Sequence, residues 1–468
     1  MLFFPQAHCP RHKWLLSVLS LFIPWAYASP AMSADPSSDA SLLTLQRAMQ
    51  LGREKPFQVR LAQEQALEAD ARASAAYGAL LPRIDLDAQH IQFDKSVNKA
   101  TGESWAPQFP ARVTTAGIQV SQPIAGLLPL TLQARASWML AESAKESADQ
   151  ARRDGAFLGA QFFLGAVRAS QFFSIAQSSV ALAEKQKNDA DALFRAGKLS
   201  QADAMRFELS LADARAQLTQ AGVARELAMI ALNDGLRIHV TDAKLVVPNG
   251  SIFEEKKPTP PALEDVLRRA LDRRPELRTA RNQLEITKLT AWAARLDYAP
   301  SINAFARYER DFQAADLRGK PSDSATAPLL AAKDDVRDKL ALGLQLKWQL
   351  WDWGSRWNKI SETVAQQKKA EINNEQALSL LKTEVIKSYL DLKAAIDALE
   401  TSKSSARLAQ EVYKLTQARF ANGQASSTDL ITAERDQARA RAGLVSARSE
   451  VDLAWFRLQR SQGEEPTL

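Results

Sequence analysis

The side chains that carry most enzymatic and metal chemistry are scarce in this chain. It has one cysteine, Cys9, and four histidines, His8, His12, His90 and His239. Cys9, His8 and His12 precede an apolar run, Trp14 to Trp25, which is introduced by Arg11 and Lys13 and followed by Ala26-Tyr27-Ala28. A charged start, a short apolar core and a small-x-small site form the pattern of a cleaved export signal. The run is about 12 residues long, well short of the roughly 20 that span a bilayer as a helix. Residues 1–28 are therefore expected to be a signal peptide. Its removal takes away the thiol, and with it disulfides, thiolate metal sites, a cysteine nucleophile and the lipid anchor of a lipoprotein. His90 and His239 lie far apart, neither beside an acidic-serine or metal-ligand pattern. No paired-carboxylate motif compensates. The expectation is a protein that is not an enzyme, with no cofactor and no metal.

Two carboxylates stand out for their position rather than their reactivity. Asp203 and Asp429 end a repeated segment, Phe194-Arg195-Ala196-Gly197-Lys198-Leu199-Ser200-Gln201-Ala202-Asp203 and Phe420-Ala421-Asn422-Gly423-Gln424-Ala425-Ser426-Ser427-Thr428-Asp429. Phe, Gly, Ser and Asp are in register. Glu208 matches Glu434 and Leu218 matches Leu444 at the same offset, and upstream Gly117 matches Gly343. Such a long-period repeat dictates the architecture before any local reading. In each segment the glycine suits a tight helix-to-helix turn, and Ser200 or Ser426 is placed to cap the returning helix. The plain reading of either aspartate is a first-turn carboxylate favoured by the helix dipole.

The elements that position these turns are long. No proline interrupts Leu130 to Val247 or Leu329 to Glu465. In the second copy Leu378, Leu381, Val385, Leu392, Ile396 and Leu399 recur at spacings of three and four, as do Leu444, Ala447, Val451, Ala454 and Leu458. These are coiled-coil seams. A helix from about Ser355 to Ala421 would extend on the order of 100 Å at 1.5 Å per residue. Before each helical hairpin stand two alternating segments. Leu340, Leu342, Leu344, Leu346 and Trp348 share one face of a strand whose other face is Lys339, Ala341, Gly343, Gln345 and Lys347. Its partner alternates Ile302, Ala304, Ala306 and Tyr308 with Asn303, Phe305, Arg307 and Glu309. In the first copy Ile84, Leu86 and Ala88 alternate with polar residues until the phase slips at Ile91 and Phe93, where a bulge is expected.

The fold class is therefore mainly α with β: two long α-helical hairpins and two strand pairs in two internal repeats. Residues 29–233 form the first repeat, with a helix, a β-hairpin at 83–121 and a tip near 197. Residues 234–262, marked by Asn233-Asp234-Gly235, Pro248-Asn249-Gly250 and Pro258, Pro260 and Pro261, form a linker. Residues 263–468 form the second repeat, with a helix, a β-hairpin at 301–348 and a tip near 423. The second copy is expected to carry an inserted loop within Asp311 to Asp338.

After the first 28 residues no stretch of 18 apolar residues occurs, so only strands could span a membrane. Four strands do not close a barrel. Three chains with four each would give a closed 12-stranded sheet with no free edge. Trp348, Trp351, Trp353 and Trp357, where strand gives way to helix, suit a membrane interface; a plug between helix and sheet is the alternative. Of the net charge of +6, Arg11 and Lys13 lie in the signal, and the remaining charge is scattered along helices. No nucleic-acid footprint is formed.

The duplicated strand pairs and hairpins, Pro82 and Pro300 opening the first strands, Gln349-Leu350-Trp351-Asp352-Trp353-Gly354, and the paired Phe-x-x-Gly-x-x-Ser-x-x-Asp turns resemble the TolC-like outer-membrane efflux protein family. That resemblance implies a homotrimer with a 12-stranded barrel in outer-membrane lipid of a Gram-negative bacterium and an α-helical tunnel in the periplasm. It implies a periplasmic adaptor and an inner-membrane transporter as partners, in tripartite efflux or type I secretion. The adaptor-docking turns would comprise Gly197, Ser200, Arg419, Gly423 and Ser426, and the periplasmic gate Asp429. Thr432 stands where some members have a second acid, and Leu193 stands where Arg419 would be matched in the first copy. A periplasmic adaptor with helical hairpins is the alternative reading.

Overall fold

The computed structural model describes residues 42–92, 112–239, 261–312 and 338–465. The expected signal, Phe93, the loop residues Gly319, Pro321 and Pro328, and the linker residues Pro248, Pro258 and Pro260 lie outside them. Helices α1 (Leu45–Glu54) and α2 (Phe57–Gly78) lead into strands β1 (Arg83–Gln92) and β2 (Arg112–Ala125), then helices α3 (Leu127–Arg195) and α4 (Gln201–Leu236). Helices α5 (Leu263–Arg273) and α6 (Pro275–Leu296) lead into β3 (Ser301–Asp311) and β4 (Asp338–Lys347), then α7 (Ser355–Ala421) and α8 (Ser427–Ser461).

Where one helix was expected before each strand pair, two are found, and proline is the reason. Pro56 caps α2, and Pro275 is the first residue of α6, so the preceding residue cannot continue an α-helix through it. Arg274 is accordingly extended, with φ −70° and ψ 121°. A second difference concerns Asn233-Asp234-Gly235, which does not break the chain. Helix α4 continues through it to Leu236 and ends at Arg237 in the left-handed region. Gly235 is a packing residue: a Cβ there would lie 2.4 Å from Cε2 of Phe162.

The four strands form one antiparallel sheet in the order β1-β2-β3-β4. Its register aligns the apolar faces across all four strands. Leu86 opposes Ile118, Ile118 opposes Tyr308 and Tyr308 opposes Leu340; Ile84, Val120, Ala306 and Leu342 form the next row. This face is bare, with Leu342 75% exposed and Leu86 80%. The opposite face is polar. Gly117 leaves room for Asp87 to reach the Arg307 guanidinium at 3.4 Å, and Arg307 also meets Glu309 at 2.8 Å. The bulge expected near Ile91 is absent, because β1 pairs with β2 without interruption from Arg83 to Gln92. The irregularity lies instead between Pro123 and Ala125, where β2 meets β3. Proline has no N–H to give to a ladder, so pairing is easiest to break there.

Among the described residues, the two largest apolar cores lie between the helices. The first gathers Leu45, Ala48, Phe163, Leu232, Leu236 and Phe456 from α1, α3, α4 and α8. In the second, Val266 and Leu277 pack against the seam Leu381, Val385, Leu392 and Leu399 of α7 and Val451, Ala454 and Leu458 of α8. Trp455 packs against both. Between α1 and α3 the backbones nearly touch. A Cβ on Gly52 would lie 2.2 Å from the Gly155 carbonyl oxygen, and one on Gly159 would lie 2.3 Å from that of Ala48.

Candidate functional site

Each hairpin turns on a glycine with φ +69°, Gly197 between α3 and α4 and Gly423 between α7 and α8. The hydrogen bonds follow the six-to-one and five-to-two pattern that ends a helix on a left-handed residue. Lys198 N–H donates to the Leu193 carbonyl and Gly197 N–H to Phe194; Gln424 N–H donates to Arg419 and Gly423 N–H to Phe420. A Cβ at either glycine would meet nothing within 4 Å, so only the backbone angle excludes other residues. Gly423→Ala is therefore expected to cost about 1 kcal/mol. In the interior of α8, where a Cβ on Gly443 would also meet nothing, Gly443→Ala is expected to stabilise by a similar amount. Thermal melts of the two variants check the opposite signs.

Past each glycine a serine caps the returning helix. Ser200 Oγ accepts from Asp203 N–H and Ser426 Oγ from Asp429 N–H, both at 3.1 Å. Asp429 completes the box by accepting from Ser426 N–H at 3.0 Å. That backbone bond and the Ser426 hydroxyl hold its carboxyl below the usual range, helped by Arg419. The Asp203 carboxyl is lowered by the Ser200 hydroxyl and then by Ser427. Because both values are depressed, the caps hold at neutral pH and weaken as pH falls through the acid range.

The second of those contacts crosses between hairpins. Ser427 Oγ donates to Asp203, and Arg206 donates to Thr428 Oγ1 at 2.7 Å. Below them Phe207 of α4 packs edge-on against Phe420, ring centroids 5.9 Å apart, in a core with Ala190, Tyr413, Leu430 and Ile431. Farther along, Arg435 meets Asp213 at 2.7 Å. Of the residues singled out in the sequence, the glycines, serines, Arg419 and Asp429 stay on their own turns. Asp203 joins the two. Sequence reasoning missed Arg206, Ser427 and Thr428, although a signal existed. At the repeat offset Ser427 and Thr428 replace Gln201 and Ala202, and Thr432 stands where Arg206 stood. The copies differ where they touch each other.

The aromatic cluster lies at the other end of α7. Trp348, Trp351, Trp353 and Trp357 are all exposed, Trp353 at 88%, so none is a plug between helix and sheet within this chain. Trp351 and Trp353 stack edge-to-face at 5.9 Å, and Trp348 Nε1 donates to the Tyr298 carbonyl at 3.2 Å. Trp353 has φ 57° and Gly354 φ 80°. This turn is held by Asp352, which accepts from Gly354 N–H and Arg356 N–H, each at 3.1 Å. Arg356 also donates to Asp352 through Nε at 2.7 Å and to the Asp297 carbonyl at 3.2 Å, tying the α6–β3 and β4–α7 corners together. The four-residue spacing of Asp352 and Arg356 was visible in the sequence but carried no reading there.

Among the described residues, no group of three or more His, Cys, Asp or Glu side chains is placed to hold a metal, and no helix is long and apolar enough to cross a membrane.

This combination of a small antiparallel sheet with one bare apolar face and two long helical hairpins is a fold shared with solved outer membrane channels. The Campylobacter jejuni CmeC outer membrane channel superposes with a TM-score of 0.75 at 16% identity, covering 91% of this chain and 87% of that one. The Vibrio cholerae outer membrane protein VceC gives 0.74 at 13% identity over 90% and 96%. The open state of the Neisseria gonorrhoeae MtrE outer membrane channel gives 0.70 at 18% identity over 90% and 89%. No curated protein sequence matches the chain. The family described as outer membrane efflux protein matches residues 266–464. The resemblance to TolC-like outer-membrane efflux proteins thus holds in sequence over the second half and in fold over nine-tenths of the chain. The adaptor alternative finds no support in either comparison.

Proposed function

We propose that this chain is the outer-membrane channel subunit of a Gram-negative tripartite efflux or type I secretion system, conducting substrate passively from an inner-membrane transporter and its periplasmic adaptor to the outside. The observation that carries this reading is the sheet: one face apolar and exposed through Ile84, Leu86, Leu340 and Leu342, the other largely polar, leading into helices of 69 and 67 residues. In water such a face is costly. In hydrocarbon it is favourable, provided no strand edge is left unpaired.

Strands β1 and β4 are the outer strands of the sheet, and three chains would pair each β1 with a neighbour's β4 to close a 12-stranded barrel. Apolar side chains left exposed on α4, such as Leu209, Val223, Leu227 and Ile230, support packing against neighbouring chains. The Asp87, Arg307 and Glu309 network would then line the lumen, and the exposed tryptophans would sit at the level of the lipid headgroups. The hairpin turns become the periplasmic end, where Gly197, Ser200, Arg419, Gly423 and Ser426 present the surface for the adaptor. Asp429 would contribute a ring of three carboxylates at the entrance. The domain division into two efflux repeats, with residues 1–28 as export signal, belongs to the same reading.

Fractionation and planar-bilayer recording test it together. The mature protein is expected in the outer-membrane fraction as a trimer that conducts ions, and a soluble monomer would overturn the reading. Asp429→Asn is expected to lower cation over anion preference severalfold, since charge at a narrow mouth concentrates counter-ions. An unchanged preference would remove Asp429 from the entrance and leave it as a cap.

A further inference from the structure

Three polar side chains are buried together between the two hairpins, 10 or 11 residues along the helices from the turn glycines. Gln186 comes from α3, Tyr413 from α7 and Glu434 from α8, each 7% exposed. The Tyr413 hydroxyl, both polar atoms of the Gln186 amide and Oε2 of Glu434 make no hydrogen bond of ordinary geometry. An ionised carboxylate in such a place leaves an oxygen that has given up water without replacement. Helix α4 brings Ser210 and Asp213 to the same groove, but Asp213 is paired with Arg435. Burial pushes the Glu434 carboxyl up from its ordinary 4.5 to about 7, against the weaker lowering pulls of the Gln186 amide and Arg435. Burial likewise raises the Tyr413 hydroxyl, which stays neutral, with Gln186 and Arg441 pulling it down and Glu434 up.

We propose that Glu434 is a proton-binding site that couples the packing of the two hairpins to the surrounding pH: protonated, it stays clamped between α3, α4 and α7, and ionised, it favours their separation. This goes beyond the channel reading, because it concerns hairpin packing whether or not the chain conducts. The sign follows from the raised value. With the hairpins apart the carboxyl returns towards 4.5, so the packed form is most favoured below that pH, loses ground as pH rises to about 7, and changes no further above it. That span corresponds to at most a few hundredfold in the ratio of packed to separated forms, and the water that still reaches the group reduces it to roughly tenfold or more.

The test uses the full-length protein with Cys9 replaced and spin labels on Lys198→Cys and Gln424→Cys, one at each exposed turn. Pulsed dipolar spectroscopy from about pH 4 to about pH 8 is expected to show the long-distance population growing tenfold or more as pH rises. Glu434→Gln should hold the short distance throughout. Gln186→Leu, which removes a group that favours the charged carboxylate, should move the midpoint upward. A wild-type distance that ignores pH, an equal pH response in Glu434→Gln, or an unmoved midpoint in Gln186→Leu would overturn the proposal. Silence in a planar bilayer alongside a pH-dependent distance would instead count against the channel reading alone.

Discussion

Gly155→Val is expected to dislodge α1 from α3 and to lower stability by about 3 kcal/mol or more. A Cβ at this position would lie 2.1 Å from the Gly52 carbonyl oxygen and 2.8 Å from Cγ2 of Val59. The first of those atoms is backbone, so no side-chain rotation relieves the clash; the helices must part. Gly52, Gly155 and Gly159 bring the two backbones together over a full turn and more, and Ala48, Phe157 and Phe163 pack around the crossing. Separation therefore uncovers much of this core. The variant should melt at lower temperature by circular dichroism and lose protection from protease around α1. Gly165, ten residues further along α3, supplies the control, because a Cβ there meets nothing within 4 Å. Gly165→Ala should be neutral or stabilising. Equal melting temperatures for Gly155→Val and wild type would show that the crossing is not needed.

Phe207→Ala is expected to cost about 3 kcal/mol and to loosen the turn end of the helices. Phe207 is 1% exposed, and although it belongs to the first hairpin, most of its cluster, including Tyr413, Phe420, Leu430 and Ile431, belongs to the second. Removing the ring leaves a cavity between the hairpins that neither can close alone. Of the polar links above it, that from Arg206 to Thr428 is solvent-exposed and adds little by itself, whereas that from Asp203 to Ser427 is part-buried. In a channel closed at these tips the variant should raise resting conductance, read in a planar bilayer. Resting conductance equal to wild type, in a protein confirmed to be folded, would place the closure elsewhere.

The same residues show how far the sequence could be read. The 3-and-4 spacing anticipated a helix over Ser355–Ala421, and the helix found has those ends. Alternation assigned Leu340 to Leu346 to one face, and the register keeps them there with Tyr308, Ala306, Ala304 and Ile302 opposite. The glycine turns and serine caps were also legible, since each is a contact between residues three to five apart. The misplaced bulge has the same origin. A phase slip at Ile91 is a local pattern, but register is settled by the neighbouring strand, and the neighbour has Pro123.

What lay out of reach were contacts between elements distant in the chain. Alanine and glycine at Ala48, Gly52, Gly155 and Gly159 are ordinary helix residues until two helices cross on them. In the sequence Glu434 is a repeat position matched by Glu208, yet Glu208 is exposed and Glu434 is buried against Gln186 and Tyr413. Helical and strand periodicity, turn chemistry and capping depend on neighbours within one turn, so the sequence by itself determined the long helices, the strands with their apolar faces, and the position of both turns. The rotation of each long helix about its axis is decided by the sum of many weak contacts along the whole length of its partners. Only the tertiary structure therefore decided which carboxylate meets water, which bridges the hairpins and which is held between them.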